Sequence, residues 1–288
     1  MSPPPVYLNG DWCDTASAQV SVFDRGYLFG DGVYEVIPAF GGRLFGLEAH
    51  MERLSRSLRE IGIAEPLARD EWQAIFDRLL EGYVGRDAAV YLQVTRGAPV
   101  PRDHAWPDPA TAPGVMATVS PIGRRSEGAR AITMPDQRWA RCDIKTINLL
   151  PNTMARQKAV EQGVDEAILV RDGLVIEGSA TNLFAVIGGR LVTAPTGPQM
   201  LAGVTRRLLI EMTRRKGLIE VDESFITVSA LRAADEVFLT SSTKDLWPVL
   251  EIDGEPVGRG EGAGRPGPVT RRLDEHFQQL KTPQRRPA

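Results

Sequence analysis

Five lysines serve a chain of 288 residues, and one of them, Lys145, lies in the stretch RCDIKTINLL beside Ile144, Ile147, Leu149 and Leu150. An ammonium group among apolar neighbours must be paired or lose its proton. As a neutral amine it becomes a nucleophile for carbonyl carbon, the starting point of Schiff-base chemistry. Glu177, in VIEGSATNLF, ends a second apolar run and is followed by small polar residues. A carboxylate there either closes a hairpin or holds a proton on a heterocyclic nitrogen.

A lysine for an aldehyde and an acid for a ring nitrogen are the two groups that pyridoxal phosphate requires. The acid keeps the ring protonated, so that the ring accepts electrons when a substrate Cα–H bond breaks. A phosphate would also need a home. Gly203-Val204-Thr205 opens a helix, whose first amides bind anions, and Thr240-Ser241-Ser242-Thr243 adds hydroxyls after a strand. Arg53 would supply counter-charge. Taken singly, each feature has a plain alternative: Lys145 as an edge-facing lysine that snorkels or pairs with Asp143, the serines as a turn, Arg53 as a solvated helix residue.

These residues need elements to position them. Strands are expected at Val6–Leu8 and Ser21–Phe23 around a turn at Asn9-Gly10, and over GVYEVIPAF from Gly32 to Phe40. Leu47, Met51, Leu54, Leu58 and Ile61 recur at helical spacing. A second helix follows Asp70 as N-cap, with Trp72, Ile75, Phe76, Leu79 and Leu80 inward. Strands at 88–96 and 114–119 flank a Pro-rich loop. Beyond a polar stretch come a strand at 130–134, a strand running into a loop at 142–149, and a helix from Asn152, as its cap, to Gly163. Two hairpins turn at Asp172-Gly173 and Gly188-Gly189. A helix from Gly203 to Lys216, strands near 219–223, 236–240 and 248–252, and a helix from about 268 close the chain, with TPQRRPA loose. The pattern predicts an α/β (α+β) protein of two domains. A smaller N-terminal α/β domain spans 1–120, a linker 121–130, and a larger hairpin-rich domain 131–288.

Composition excludes other classes. Charges are mixed and sum to −3, unlike the basic footprint of a nucleic-acid binder. No apolar run reaches membrane-span length. With His50, His104 and His276 scattered and two cysteines, Cys13 and Cys142, neither a metal site nor a disulfide framework is expected. The N-terminus lacks a secretory pattern, and a cytoplasmic location is expected. Gly262, Gly264 and Gly267 form a G-x-G-x-x-G, but Pro266 and Pro268 interrupt it and no strand-to-helix start surrounds it, so a dinucleotide fold is rejected.

The blocks RGYLFGDGVYEV, AHMERL, WARCDIKTINLL, EGSATNLF, LAGVTRRLL and DEVFLTSSTKDLWPVLEIDG, in this order from about Asp24 to Gly254, resemble the fold-type IV (class IV) pyridoxal-phosphate aminotransferases. The likeness is greatest to those acting on D-amino acids. The resemblance implies Lys145 as the Schiff-base lysine and Glu177 as partner of the pyridine nitrogen. It implies Arg53, Val204, Thr205, Ser241 and Ser242 around the phosphate and Leu201 against the ring. Ser179 and Asn182 lie in the matching turn. It also implies that Tyr34, Arg102 and His104 trap the substrate carboxylate across the interface of a homodimer; a guanidinium, an imidazole and a phenol offer several hydrogen bonds to one carboxylate.

The expected reaction moves the amino group of a D-amino acid, such as D-alanine or D-glutamate, to 2-oxoglutarate or pyruvate. A branched-chain L-amino-acid aminotransferase, an (R)-amine transaminase or an aminodeoxychorismate lyase would share the cofactor residues. A cofactor-free binding protein is the alternative from another class.

Overall fold

A computed structural model describes the backbone of residues 5–285 and side chains from Pro5 to Thr282. By packing, the chain forms two units. One contains the chain up to Ile122, Ile144–Leu149 and the chain from Lys281; the other contains Gly123–Asp143 and Leu150–Leu280. The sequence-based division at 121–130 assigns 144–149 to the second domain. Their packing joins them to the first, because Thr146 bridges Val33 and the Tyr34 amide donates to the Lys145 carbonyl at 3.0 Å.

The first unit carries β1 (Pro5–Leu8), β2 (Asp11–Asp14), α1 (Arg25–Phe29), β3 (Gly32–Phe40), β4 (Arg43–Leu44), α2 (Leu47–Glu60), α3 (Arg69–Leu80), β5 (Ala88–Thr95) and β6 (Gly114–Pro121). Its strands order as β2-β1-β6-β5-β3-β4. β3 pairs with β5 from Gly32↔Thr95 to Ala39↔Ala88. Met51, Leu54 and Leu58 of α2 and Trp72, Phe76 and Leu79 of α3 share one core with Val33, Ile37, Val90 and Val94. The spacing of these residues, three or four apart, is what puts them on one helical face.

The second unit carries β7 (Ala129–Pro135), α4 (Leu150–Glu161), β8 (Glu166–Arg171), β9 (Leu174–Gly178), β10 (Asn182–Ile187), β11 (Arg190–Thr193), α5 (Val204–Lys216), β12 (Val221–Glu223), β13 (Ile226–Thr227), α6 (Val228–Arg232), β14 (Glu236–Ser241), β15 (Asp245–Ile252) and β16 (Glu255–Pro256), and α7 (Pro268–Arg285) as far as Leu280. The sheet runs β12-β11-β10-β14-β15-β7-β8-β9-β13, with β16 on β15. Asp172 and Gly173, and Gly188 and Gly189, all take positive φ, as two-residue hairpin turns require. Among the described residues no helix is long and apolar enough to cross a membrane.

Several expectations are corrected. Ser21–Phe23 is not a strand; β1 instead pairs with Asp11–Asp14 across the Asn9-Gly10 turn. Val20 and Val22 are exposed, so their apolar alternation meets no sheet. Residues 142–149 form turns and a single bridge, with no continuous neighbour to make a strand. The N-cap position of α3 is Ala68, whose amide donates to the Glu71 carboxylate at 2.7 Å. Asn152 lies inside α4, where its amide reaches the Ser179 carbonyl at 2.7 Å rather than capping the helix. Lys281 is buried with Nζ 3.6 Å from the Phe40 ring centre, and the helix continues to Arg285. Of TPQRRPA, the last three residues lie outside the described residues, as do the first four of the N-terminal stretch.

Candidate active site

Lys145 is pinned by two elements of the first unit. Its carbonyl receives the Tyr34 amide of β3, and its own amide donates to Ser57 Oγ of α2 at 3.3 Å. The side chain is half-buried, with Nζ 4.0 Å from the centre of the Tyr34 ring. The ring in turn stacks on Tyr91 at 5.7 Å. Burial, and then the Tyr34 phenol, push the Tyr91 phenol up to about 12. Ile144 enters the core, whereas Leu150 is 67% exposed, so the apolar residues around Lys145 are apolar for different reasons. Asp143, the alternative partner for the lysine, accepts from Arg141 through both its oxygens, at 3.0 and 3.1 Å.

Below this lies a group that the sequence did not disclose. Glu35, on β3 and wholly buried, accepts from Arg53 Nε and Nη2 at 2.7 and 2.8 Å and pairs with His50 Nδ1 at 2.7 Å. Burial alone would raise the Glu35 carboxyl. The Arg53 charge and hydrogen bonds, with His50, outweigh it and hold the group down at about 2. Burial is also the main reason that His50 sits below the ordinary imidazole value. Arg53, expected as a phosphate ligand, is therefore oriented by a bidentate carboxylate. The clue in the sequence was a lone Glu within GVYEVIPAF.

Arg102 and His104 stand exposed on the loop between β5 and β6. Both pack on Phe29 of α1: the Arg102 guanidinium lies 4.5 Å from the ring centre, and the His104 ring centre 5.3 Å from it. The structure brings these two together on one platform. Among the described residues no hydrogen bond, ion pair or ring contact joins either of them to Tyr34 or Lys145 within the chain. The loop starts at Gly97, which takes φ +89 and whose missing Cβ would collide with the Ala112 carbonyl, so a side chain there is excluded.

In the second unit, Glu177 lies near the end of β9 as a buried carboxylate. It accepts from Arg138 Nη1, from Asn182 Nδ2 at 2.9 Å and from the Leu201 amide at 3.2 and 3.3 Å. Arg138 is itself held by Asp136, through Nε at 2.9 Å and Nη2 at 3.0 Å, and Asp136 also receives Arg171 at 2.8 Å. Burial pushes the Glu177 carboxyl up to about 7 against the lowering effect of Arg138. Glu177, Leu201 and Asn182, expected from the sequence, are brought together here, and Arg138 and Asp136 join them without having been expected. Ser179 has another partner: its amide (3.1 Å) and hydroxyl donate to the buried Glu166, which also takes Thr181 Oγ1 at 3.2 Å.

Val204 and Thr205 begin α5, and no side chain caps that helix start. Its amides are free to receive an anion. Gly203 precedes them with Asn182 Oδ1 standing where a Cβ would be, so glycine is required beside the Glu177 network. Thr240 lies opposite Asn182 on the β10–β14 ladder, and cross-strand neighbours share a face. Its Oγ1 is buried and has no hydrogen-bond partner. Ser241 Oγ accepts from the Lys244 amide at 3.2 Å, and Ser242 is half-buried beside it. An orphaned buried hydroxyl beside an uncapped helix start and a buried acid fits a phosphorylated heterocycle such as pyridoxal phosphate.

Residues 32–252 match the family model described as amino-transferase class IV. The chain is 41% identical over 277 residues to the D-alanine aminotransferase of Bacillus licheniformis, covering 95% of each chain. Among solved structures it is similar to the branched-chain amino acid aminotransferase of Escherichia coli (26% identity, 97% of this chain and 95% of that chain, TM-score 0.87). It is also similar to the branched-chain aminotransferase of Thermoproteus uzoniensis with norvaline (30% identity, 96% of this chain and 93% of that chain, TM-score 0.83).

Proposed function

The chain belongs to the class IV aminotransferases, and we propose that it uses pyridoxal 5'-phosphate to move the amino group of a D-amino acid, such as D-alanine or D-glutamate, to 2-oxoglutarate or pyruvate. The observation that carries this reading is the match along 95% of the chain to a D-alanine aminotransferase, together with the paired, exposed Arg102 and His104.

Bound pyridoxal phosphate supplies a protonated ring that accepts electrons as the Cα–H bond breaks. Lys145 Nζ is the covalent anchor for its aldehyde. With the cofactor in place, the same nitrogen would take up the substrate Cα proton and return it, as general base and then general acid. The Tyr34 ring at 4.0 Å keeps that nitrogen in one place. Glu177 holds the ring-nitrogen proton; three donors fix its carboxylate in one orientation. Arg53, the amides of Val204 and Thr205, Ser241 and Ser242 hold the phosphate, with the unpartnered Thr240 hydroxyl next in chain to Ser241, and Leu201 supports the ring face.

Tyr34, Arg102 and His104 receive the substrate carboxylate. The exposure of Arg102 and His104, and their lack of contact with Tyr34 in one chain, support a homodimer in which each copy lends its loop to the other. Cys13 and Cys142 are free thiols, which suits the cytoplasm proposed as its location.

The likeness to solved branched-chain aminotransferases favours a branched-chain L-amino-acid activity as the second reading. D-alanine, L-leucine and (R)-1-phenylethylamine, each offered with 2-oxoglutarate, separate the alternatives. Turnover of D-alanine is expected, and activity confined to L-leucine would overturn the assignment. Hydride trapping is expected to leave the cofactor on Lys145; an adduct elsewhere would remove the anchor role.

A further inference from the structure

The loop that carries Arg102 and His104 has no regular structure between β5 and β6, yet it is held at consecutive residues by one buried side chain. Arg25, in α1, is 4% exposed. Its Nη1 donates to the carbonyls of Asp103 at 2.5 Å and Ala105 at 3.1 Å, and its Nη2 to the carbonyl of His104 at 3.1 Å. Its Nε donates to Asp31 at 2.8 Å. The same guanidinium lies 4.8 Å from the centre of Phe29, the ring on which Arg102 and His104 rest.

Asp31 is shared. Arg96 donates to both its oxygens, through Nε at 2.8 Å and Nη2 at 2.9 Å, and also to the carbonyls of Ile61 and Gly62 at 2.6 and 3.2 Å. The face of the Arg96 guanidinium meets Trp106 at 4.1 Å. Residues 103–106 are thus fixed one after another, three through backbone carbonyls and the fourth through its ring. Within the loop the Ala105 amide adds a bond to Asp103 Oδ1 at 3.1 Å.

Ordering a loop residue costs backbone entropy. A site that must present two side chains to one carboxylate binds better when that ordering precedes the substrate. Only a guanidinium offers donors in a rigid fork that can engage three neighbouring carbonyls and a carboxylate together; an ammonium on a flexible stem cannot.

We propose that Arg25, locked through Asp31 to Arg96, is a positioning residue for substrate-carboxylate recognition: it holds the backbone of 103–105 so that Arg102 and His104 are preformed on Phe29. The inference rests on the reading of Arg102 and His104 as the carboxylate trap. Arg25 is buried with all three nitrogens on Asp31 and the loop carbonyls, so it acts through the loop backbone. Its loss misplaces the trap and leaves the chemistry at Lys145 intact.

The test is steady-state kinetics on the holoenzyme with D-alanine, comparing R25K, R25M, R102M and the double variant R25M/R102M. R25K and R25M are expected to raise KM for D-alanine about tenfold, with kcat falling less than about threefold and the absorbance of the bound cofactor unchanged. The double variant is expected to raise KM by less than the product of the two single effects, because the part of the Arg25 effect that acts through Arg102 is already lost in R102M. R25K retains charge and length, so it reports even if R25M fails to fold. Hydrogen exchange at the Ala105 amide, faster in R25K, gives a readout independent of turnover. If R102M raises KM while R25K leaves both KM and Ala105 exchange at wild-type values, the positioning role is overturned and the trap survives. Multiplying effects in the double variant overturn it as well. If R102M itself leaves KM unchanged, the trap fails, and the role of Arg25 fails with it.

Discussion

Arg138 donates to Glu177 through one nitrogen of its guanidinium while Asp136 engages the other two, so the acid assigned to the ring nitrogen is held by a cation that is itself held in place. Glu177 is buried, and burial raises it to about 7 even with that cation beside it. The value lies above that of an unfolded carboxyl. Glu177 therefore contributes stability that is fully present below about pH 4.5 and is lost as pH rises through about 7.

R138M removes the main influence that lowers Glu177. The pH-dependent loss of stability in the cofactor-free enzyme is expected to extend above 7. At a pH of about 8 the variant should be about 3–5 kcal/mol less stable, because a buried carboxylate has lost its partner. R138M/E177Q should recover most of that difference, since no charge then remains uncompensated. Urea unfolding from about pH 5 to about pH 9 measures it. Parallel curves for R138M and wild type would show that Arg138 does not control this carboxyl.

The Glu35 cluster titrates in the opposite sense. Arg53 and His50 hold Glu35 down at about 2, so its contribution is present above about pH 4.5 and disappears as pH falls toward 2. E35Q is expected to abolish that acid limb and to destabilise the protein by about 3–5 kcal/mol at neutral pH. It also frees Arg53 to turn, so affinity for pyridoxal phosphate should fall about tenfold. Acid titration followed by circular dichroism, and cofactor binding followed by absorbance, read the two effects separately. An E35Q enzyme that binds the cofactor as well as wild type would break the link between Glu35 and Arg53.

How far the sequence discloses these arrangements depends on where the partner lies. The helix over Val204–Lys216 and the hairpins at Asp172-Gly173 and Gly188-Gly189 are local features, set by glycine at a helix start or positive φ at a turn, and they are legible. Glu177 and Lys145 are legible because each is a lone ionisable group beside apolar residues. Glu35 is also such a group, but its meaning rests on Arg53 one helix later, and that of Arg138 on Glu177 thirty-nine residues away. Buried charge networks are pairwise, and only one member of a pair stands in any short window. The strand expected around Lys145 fails for a related reason: periodicity cannot tell Ile144, which joins a core, from Leu150, which is exposed.

Arg102 and His104 rest on Phe29 whereas Lys145 rests on Tyr34, which leads to a prediction about two chains. If each copy lends its loop to the other, K145A and R102A/H104A are each impaired for a different reason, and a mixed dimer contains one site with both defects and one with neither. Unfolding the two variants together and refolding them should give mixed dimers in about half of the population, and so about a quarter of wild-type activity per site. Each variant refolded alone should stay near its own low value. If the loop instead served its own chain, every site in the mixed dimer would retain one defect, and refolding the variants together would restore nothing above the average of the parents. Activity toward D-alanine before and after co-refolding, at one total protein concentration, decides between the two arrangements.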